Sequence, residues 1–219
     1  MHSVKKWVLL LVPFLVPLST YILFVSFPGS HPLAFLGNTL YWIFWCLLIP
    51  WFILGRIKLF SLLHPKTLLI PKPFSVFHAI AFLLPIFIGF MVLIPGVLPP
   101  ELKELNINAH PIATIFLILL ISLWNGTLEE ILWRGAYGGF FKNNLFLSFI
   151  YPSIGFGLWH LSPYGALSGF RSEVFLFTAG GMVFGFCWGW LAWKTKSIRL
   201  SVLSHIGSNI ALMSCLVFL

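Results

Sequence analysis

Two adjacent glutamates and an arginine, Glu129, Glu130 and Arg134, stand in the stretch Trp124–Gly135, WNGTLEEILWRG, inside an apolar segment running from about Pro111 to about Phe141. Carboxylates and a guanidinium at membrane depth are costly, and such groups face a bundle interior or a wet cavity where they do chemistry or transport. Glu130 and Arg134 lie four apart, so they share a helical face with the acid N-terminal to the base, the favourable order for an ion pair. Glu129 points about 100° away and has no partner on its own helix. The spacing predicts one structurally paired carboxylate, Glu130, and one free to work, Glu129. The same pattern occurs in transporters and in purely structural buried networks, so the rest of the chain has to decide.

Two further apolar segments carry matching polar residues. FGLWH places Phe156 and His160 four apart on one face, and SHIGSN does the same for His205 and Asn209. The other histidines, His2, His31, His64, His78 and His110, fall in termini, loops or segment edges, where solvated roles are the default. A glutamate and a histidine sharing one water can take its proton as it attacks a carbonyl and later hand one to the departing amine. His205 and Asn209 carry donors that could face the developing oxyanion. Arg134 would keep Glu130 charged. The alternative is zinc, with Glu129, His160 and His205 as three ligands and a fourth position for water. The HExxH spacing of soluble zinc proteases is missing, so such a site would be assembled from distant helices. A serine or cysteine nucleophile has little support: Cys187 has no histidine nearby in sequence and Ser208 no orienting acid.

The elements that must position these groups are membrane helices. Of 219 residues 59% are hydrophobic and only 8% charged, and the mean hydropathy is +1.00. A soluble domain carries about 25% charged residues. The expected fold is all-α, a single polytopic transmembrane bundle over 1–219, with spans lacking any signature in 1–110 and a catalytic helical core in 111–219. Seven spans are expected: 4–27, bent by Pro13 and Pro17; 33–60; 74–98; 111–140, opened by Pro111; 145–161, bent by Pro152; 174–193; and 200–219. An eighth short or re-entrant segment fits near 99–110. The fourth span, if unbroken, is about 45 Å long against a hydrocarbon slab of about 30 Å, so it must tilt, break or protrude. Its later part, about 116–138, has to be the membrane part if Glu129, His160 and His205 are to share a depth. In the sixth span Gly181, Gly185 and Gly189 recur every four residues, a smooth strip where a neighbouring backbone can approach closely.

The net charge of +8 comes from 13 basic and 5 acidic residues and reads as a topology and anionic-lipid signal, with no nucleic-acid domain in view. On one side of a seven-span topology fall Lys5, Lys6, Arg56, Lys58, Lys66, Lys72, Lys142, Lys194, Lys196 and Arg199; the other has Lys103 and Arg171 with Glu101, Glu104 and Glu173. That bias predicts a cytoplasmic N-terminus. Cys46, Cys187 and Cys215 read as small buried hydrophobes without a disulfide framework.

The series Glu129-Glu130-x-x-x-Arg134, Phe156-x-x-x-His160 and His205-x-x-x-Asn209 resembles, in order and over about residues 115–215, the CAAX-protease and bacteriocin-processing (CPBP, Abi) family of intramembrane endopeptidases. The resemblance implies proteolysis in or near a prokaryotic cell membrane. It implies Glu129 and His160 as the pair that activates water, His205 and Asn209 as the pair assigned to the oxyanion or to a metal, and Glu130, Arg134 and Phe156 in support. The family is often labelled metalloprotease; the version expected here is glutamate-dependent, with no cofactor and zinc as the alternative. The expected partner is a membrane-associated peptide or protein substrate. An ion-coupled transporter using the same buried charges, and a non-catalytic bacteriocin-immunity or scaffold protein, are the competing readings. An inverted repeat would favour the transporter, and the first three and last four spans show no such similarity.

Overall fold

A computed structural model of the chain describes residues 2–26, 37–61, 75–91, 111–162 and 172–218. Among the described residues every regular element is helical: α1 (His2–Ser26), α2 (Gly37–Leu54), α3 (Arg56–Ser61), α4 (Val76–Met91), α5 (Ile112–Phe140), α6 (Phe146–Trp159), α7 (Ser172–Thr195) and α8 (Arg199–Phe218). Apart from short α3, each falls on one expected span. Four of them, at His2–Ile22, Gly37–Leu54, Ile112–Phe140 and Val174–Thr195, are long and apolar enough to cross a membrane by themselves, and α4 and α6 are shorter apolar helices. The protein is an integral membrane helical bundle. The eighth segment expected near 99–110 lies outside the described residues.

The expected span over 33–60 is corrected. Its helix stops at Leu54 because Gly55 takes φ +79° and ψ 160°, a backbone conformation that glycine alone adopts without strain. Arg56 then starts a separate short helix. The fourth expected span, by contrast, is one helix without a break over the 29 residues of α5.

Prolines explain much of the local structure. Pro13 has no N–H, so the Leu9 carbonyl one turn earlier loses its intrahelical donor. The Tyr137 hydroxyl donates to that carbonyl at 2.7 Å, and the Tyr151 hydroxyl donates to the neighbouring Leu10 carbonyl. Two helical stretches are widened into π-helix, Tyr41–Leu48 and Phe146–Ile150. Each has a proline two residues after its end, Pro50 or Pro152, whose ring pushes back the carbonyl four residues earlier. A third widened stretch, Ile131–Ala136, has no proline after it. It begins next to the paired glutamates, and π-turns inside α-helices are frequent at functional sites.

The glycine strip of α7 is where α6 packs. A β-carbon on Gly185 would lie 2.7 Å from the Ser153 carbonyl oxygen, and ones on Gly181 and Gly189 would meet the His160 ring and Phe149 at 2.8 and 2.7 Å. At one end of the bundle, helix-terminal carbonyls are taken by lysines: Lys5 Nζ to Ile53 at 2.9 Å and Lys58 Nζ to Gly139 at 2.9 Å. Partial burial, and then the charges of Lys142 and Lys5, hold the Lys58 ammonium below the ordinary lysine range. Lys194 and Lys196 flank the Trp193 ring, which stacks on Phe149. Cys46 and Cys187 are free thiols.

Candidate active site

The charged residues of α5 enter the bundle at the start of its widened stretch. Glu129, Glu130 and Arg134 are 3%, 0% and 3% exposed, so solvent cannot compensate their charges and protein groups must. Arg134 donates through one Nη to Glu130 Oε1 at 2.8 Å and through the other to the Gly185 carbonyl at 3.0 Å. Ser153 donates to that same carbonyl at 2.8 Å. The guanidinium also lies 4.7 Å from the Phe156 ring centre and 5.5 Å from that of Trp188. The i, i+4 pair is as the spacing predicts.

Glu129 is outside that pair, and it is not isolated. Its Oε1 accepts the Trp159 indole N–H at 3.2 Å, and its Oε2 lies 3.4 Å from His205 Nε2. His205 Nδ1 is 3.0 Å from Glu130 Oε1. Both ring nitrogens of His205 therefore face carboxylates, one on each glutamate, where the sequence led us to expect at least one facing a substrate. The ring is clamped by stacking on Trp188 at 3.8 Å, while the Trp188 N–H goes to Ser204 and the Ser204 hydroxyl to the Phe82 carbonyl. Those contacts tie α8 to α7 and α4.

Phe156 is the common neighbour. Its ring centre lies 4.8 Å from that of His160, 5.8 Å from that of His205 and 6.1 Å from that of Trp133. His160 occupies the end of α6, with Nδ1 2.8 Å from the Phe156 carbonyl and the ring against α7 at Gly181. A carbonyl only accepts, so Nδ1 carries the proton and Nε2 has the lone pair. His160 forms no hydrogen bond or ion pair with Glu129. Asn209 follows His205 by one turn of α8, and its buried Nδ2 has no hydrogen-bond partner. Among the described residues no three His, Cys, Asp or Glu side chains converge as metal ligands would. The set Glu129, His160 and His205 is not arranged as three zinc ligands, because both nitrogens of His205 are turned to carboxylates; the Nδ1 contact of His160 to a carbonyl leaves its Nε2 free.

Sequence reasoning missed the aromatic collar. Tyr41 on α2 is 1% exposed; its hydroxyl accepts the Trp133 indole N–H at 3.1 Å, and its ring stacks at 3.9 Å on Trp159, the donor to Glu129. Trp133 and Trp159 sit inside the quoted motifs, and a buried indole must find an acceptor, which was a usable signal. Tyr41 offered only a phenol in an apolar run.

Residues 111–211 match the family model of Type II CAAX prenyl endopeptidase Rce1-like proteins. The matched segment runs from the start of α5 into α8 and contains every charged and histidine residue of the site. Neither the comparison with curated proteins nor that with solved structures gives a match.

Proposed function

We propose that this chain, over residues 111–211 a member of the Rce1-like family, is a membrane-embedded CAAX-type endopeptidase in which Glu129 activates water. The observation that carries this is the division of labour between adjacent acids: Glu130 is bound by Arg134, while Glu129 is held in place by Trp159 and His205, with no arginine or lysine paired to it among the described residues. A carboxylate so oriented can take a proton from water as the water oxygen bonds to the scissile carbonyl carbon. The carbonyl π electrons move onto oxygen, and Asn209 Nδ2 supplies a donor to that oxyanion. As the oxyanion collapses the C–N bond breaks, and the proton held by Glu129 passes to the leaving nitrogen. His160, with Nε2 unprotonated, is the second base for the same water. His205, drawn onto both glutamates, positions Glu129.

No cofactor is proposed, since both ring nitrogens of His205, one of the three candidate zinc ligands, are turned to carboxylates. Stripping purified protein with a strong chelator should leave turnover intact, with zinc below one per chain by elemental analysis. The cationic end of the bundle supports a cytoplasmic N-terminus; cysteine accessibility should place 66–72 and 194–199 inside and 101–104 and 171–173 outside.

The test of the function uses the full chain in detergent and a quenched peptide ending in a farnesylated cysteine and three residues. Glu129→Gln keeps the shape of the side chain and removes the base, so cleavage should fall by about 10²–10⁴-fold with unchanged protein yield. Cleavage by E129Q at the wild-type rate overturns the assignment.

A further inference from the structure

We infer that Tyr41, from the part of the chain outside the matched segment, is a positioning residue that holds Glu129 through its hydroxyl proton; the inference rests on the reading of Glu129 as the base. The argument is an accounting of donors. An indole N–H can only donate, so at the 3.1 Å contact with Trp133 the Tyr41 oxygen is the acceptor. The phenolic proton is left to point elsewhere. Tyr41 is buried, and leaving that donor unmade would be costly. Its ring stacks on Trp159, whose indole N–H rests on Glu129, so the acceptors beside the hydroxyl are the Glu129 carboxylate and the Cys46 thiol of the same helix. Sulfur is a weak acceptor and a carboxylate a strong one, with charge-assisted bonds about twice as strong as neutral ones. The proton goes to Glu129.

Glu129 then has two donor-terminated supports from different helices, Trp159 from α6 and Tyr41 from α2, and Tyr41 is itself fixed by Trp133 and by its stack on Trp159. The ring stack sets the phenol's plane and the indole bond sets its oxygen, leaving the proton one strong acceptor. The consequence is that α2 completes the site. Residues 111–211 alone carry the reacting groups without the group that aims one of them.

Two measurements on the full chain test this. All five acidic residues are glutamates, so carboxyl-labelled glutamate gives an infrared spectrum with few components, and the one lost in E129Q belongs to Glu129. Tyr41→Phe keeps the stacked ring and should shift that component; difluorotyrosine at the same position, a stronger donor, should shift it in the opposite sense. On the farnesylated peptide, Y41F should lower kcat about tenfold to a hundredfold while KM stays within about twofold, as expected for losing a bond to a charged group that acts after binding. A component that stays put in both variants overturns the inference, whatever happens to turnover. If wild type cleaves no such peptide, the endopeptidase reading falls, and the spectrum still decides whether Tyr41 holds Glu129.

Discussion

The two halves of the bundle use polar side chains in opposite ways. In α1–α4 the contacts are scattered and mostly neutral: Trp42 to Asn125, Trp45 to Ser19, Thr20 with Ser162, and lysines on helix-terminal carbonyls at the rim. In α5–α8 they are concentrated and charged, with two glutamates, an arginine and a histidine in mutual contact and almost no exposure. A neutral contact can be lost singly, because only one bond goes with it. A desolvated charge cannot, because its partner is stranded. The difference teaches that the second half is constrained by mutual dependence and the first by packing.

The sharpest way to break this comparison is Arg134→Ala. It leaves Glu130 buried beside a second carboxylate, and the cost should be roughly 3–5 kcal/mol. Glu130→Gln in the same chain should restore part of the melting temperature in detergent. An R134A protein that extracts and melts like wild type would show that the charged half tolerates single losses too. Next comes Gly185→Ala. The new methyl would meet the Ser153 backbone oxygen at 2.7 Å, and overpacking of that kind costs about 1–3 kcal/mol. The same loss of melting temperature is the readout, and no loss would mean the α6–α7 contact is loose.

At the seam between the halves, Tyr137→Phe removes the donor that serves the Leu9 carbonyl. The expected loss is about 1 kcal/mol, the size of one neutral hydrogen bond, in a urea or thermal titration; several times that would put the seam on a par with the charged site. The smallest effect belongs to the rim. Lys58 titrates below the ordinary lysine range in the folded chain, so the unfolded chain binds more protons between the folded and unfolded values. Stability therefore rises with pH through that window. Lys142→Gln removes one repelling charge and should flatten the rise, and it should raise the pH at which Lys58 reacts with an acylating reagent, followed by peptide mass spectrometry.

The helices were legible in the sequence because apolar runs separated by prolines and lysines leave little else for a chain in lipid to do. So was the Glu130–Arg134 pair, since i, i+4 spacing is a property of one helix. The division between two glutamates followed from the same geometry. What joins them did not, because His205 and Trp159 come from α8 and α6, and their registers against α5 are set by packing. The break at Gly55 was missed since a glycine in an apolar run shows no sign of its φ. Tyr41 was missed for a related reason: its role depends on a neighbour 92 positions away in the chain.

The widened stretch Ile131–Ala136 has a consequence for how α5 is phased. Upstream of it the helix presents Glu129 and Glu130 to α8; downstream it presents Tyr137 to α1 and Gly139 to α2 and α3. One uniform α-helix fixes the angle between two such faces at about 100° per residue. A local change of pitch frees the two faces from that constraint, so each can be adjusted against its own neighbours. A widened turn takes up about one extra residue, so deleting one residue inside the stretch should return the helix to a single pitch with the Tyr137 hydroxyl still on Leu9 and the glutamates in place. The stretch works as an angular offset between the reacting end of the helix and its anchored end.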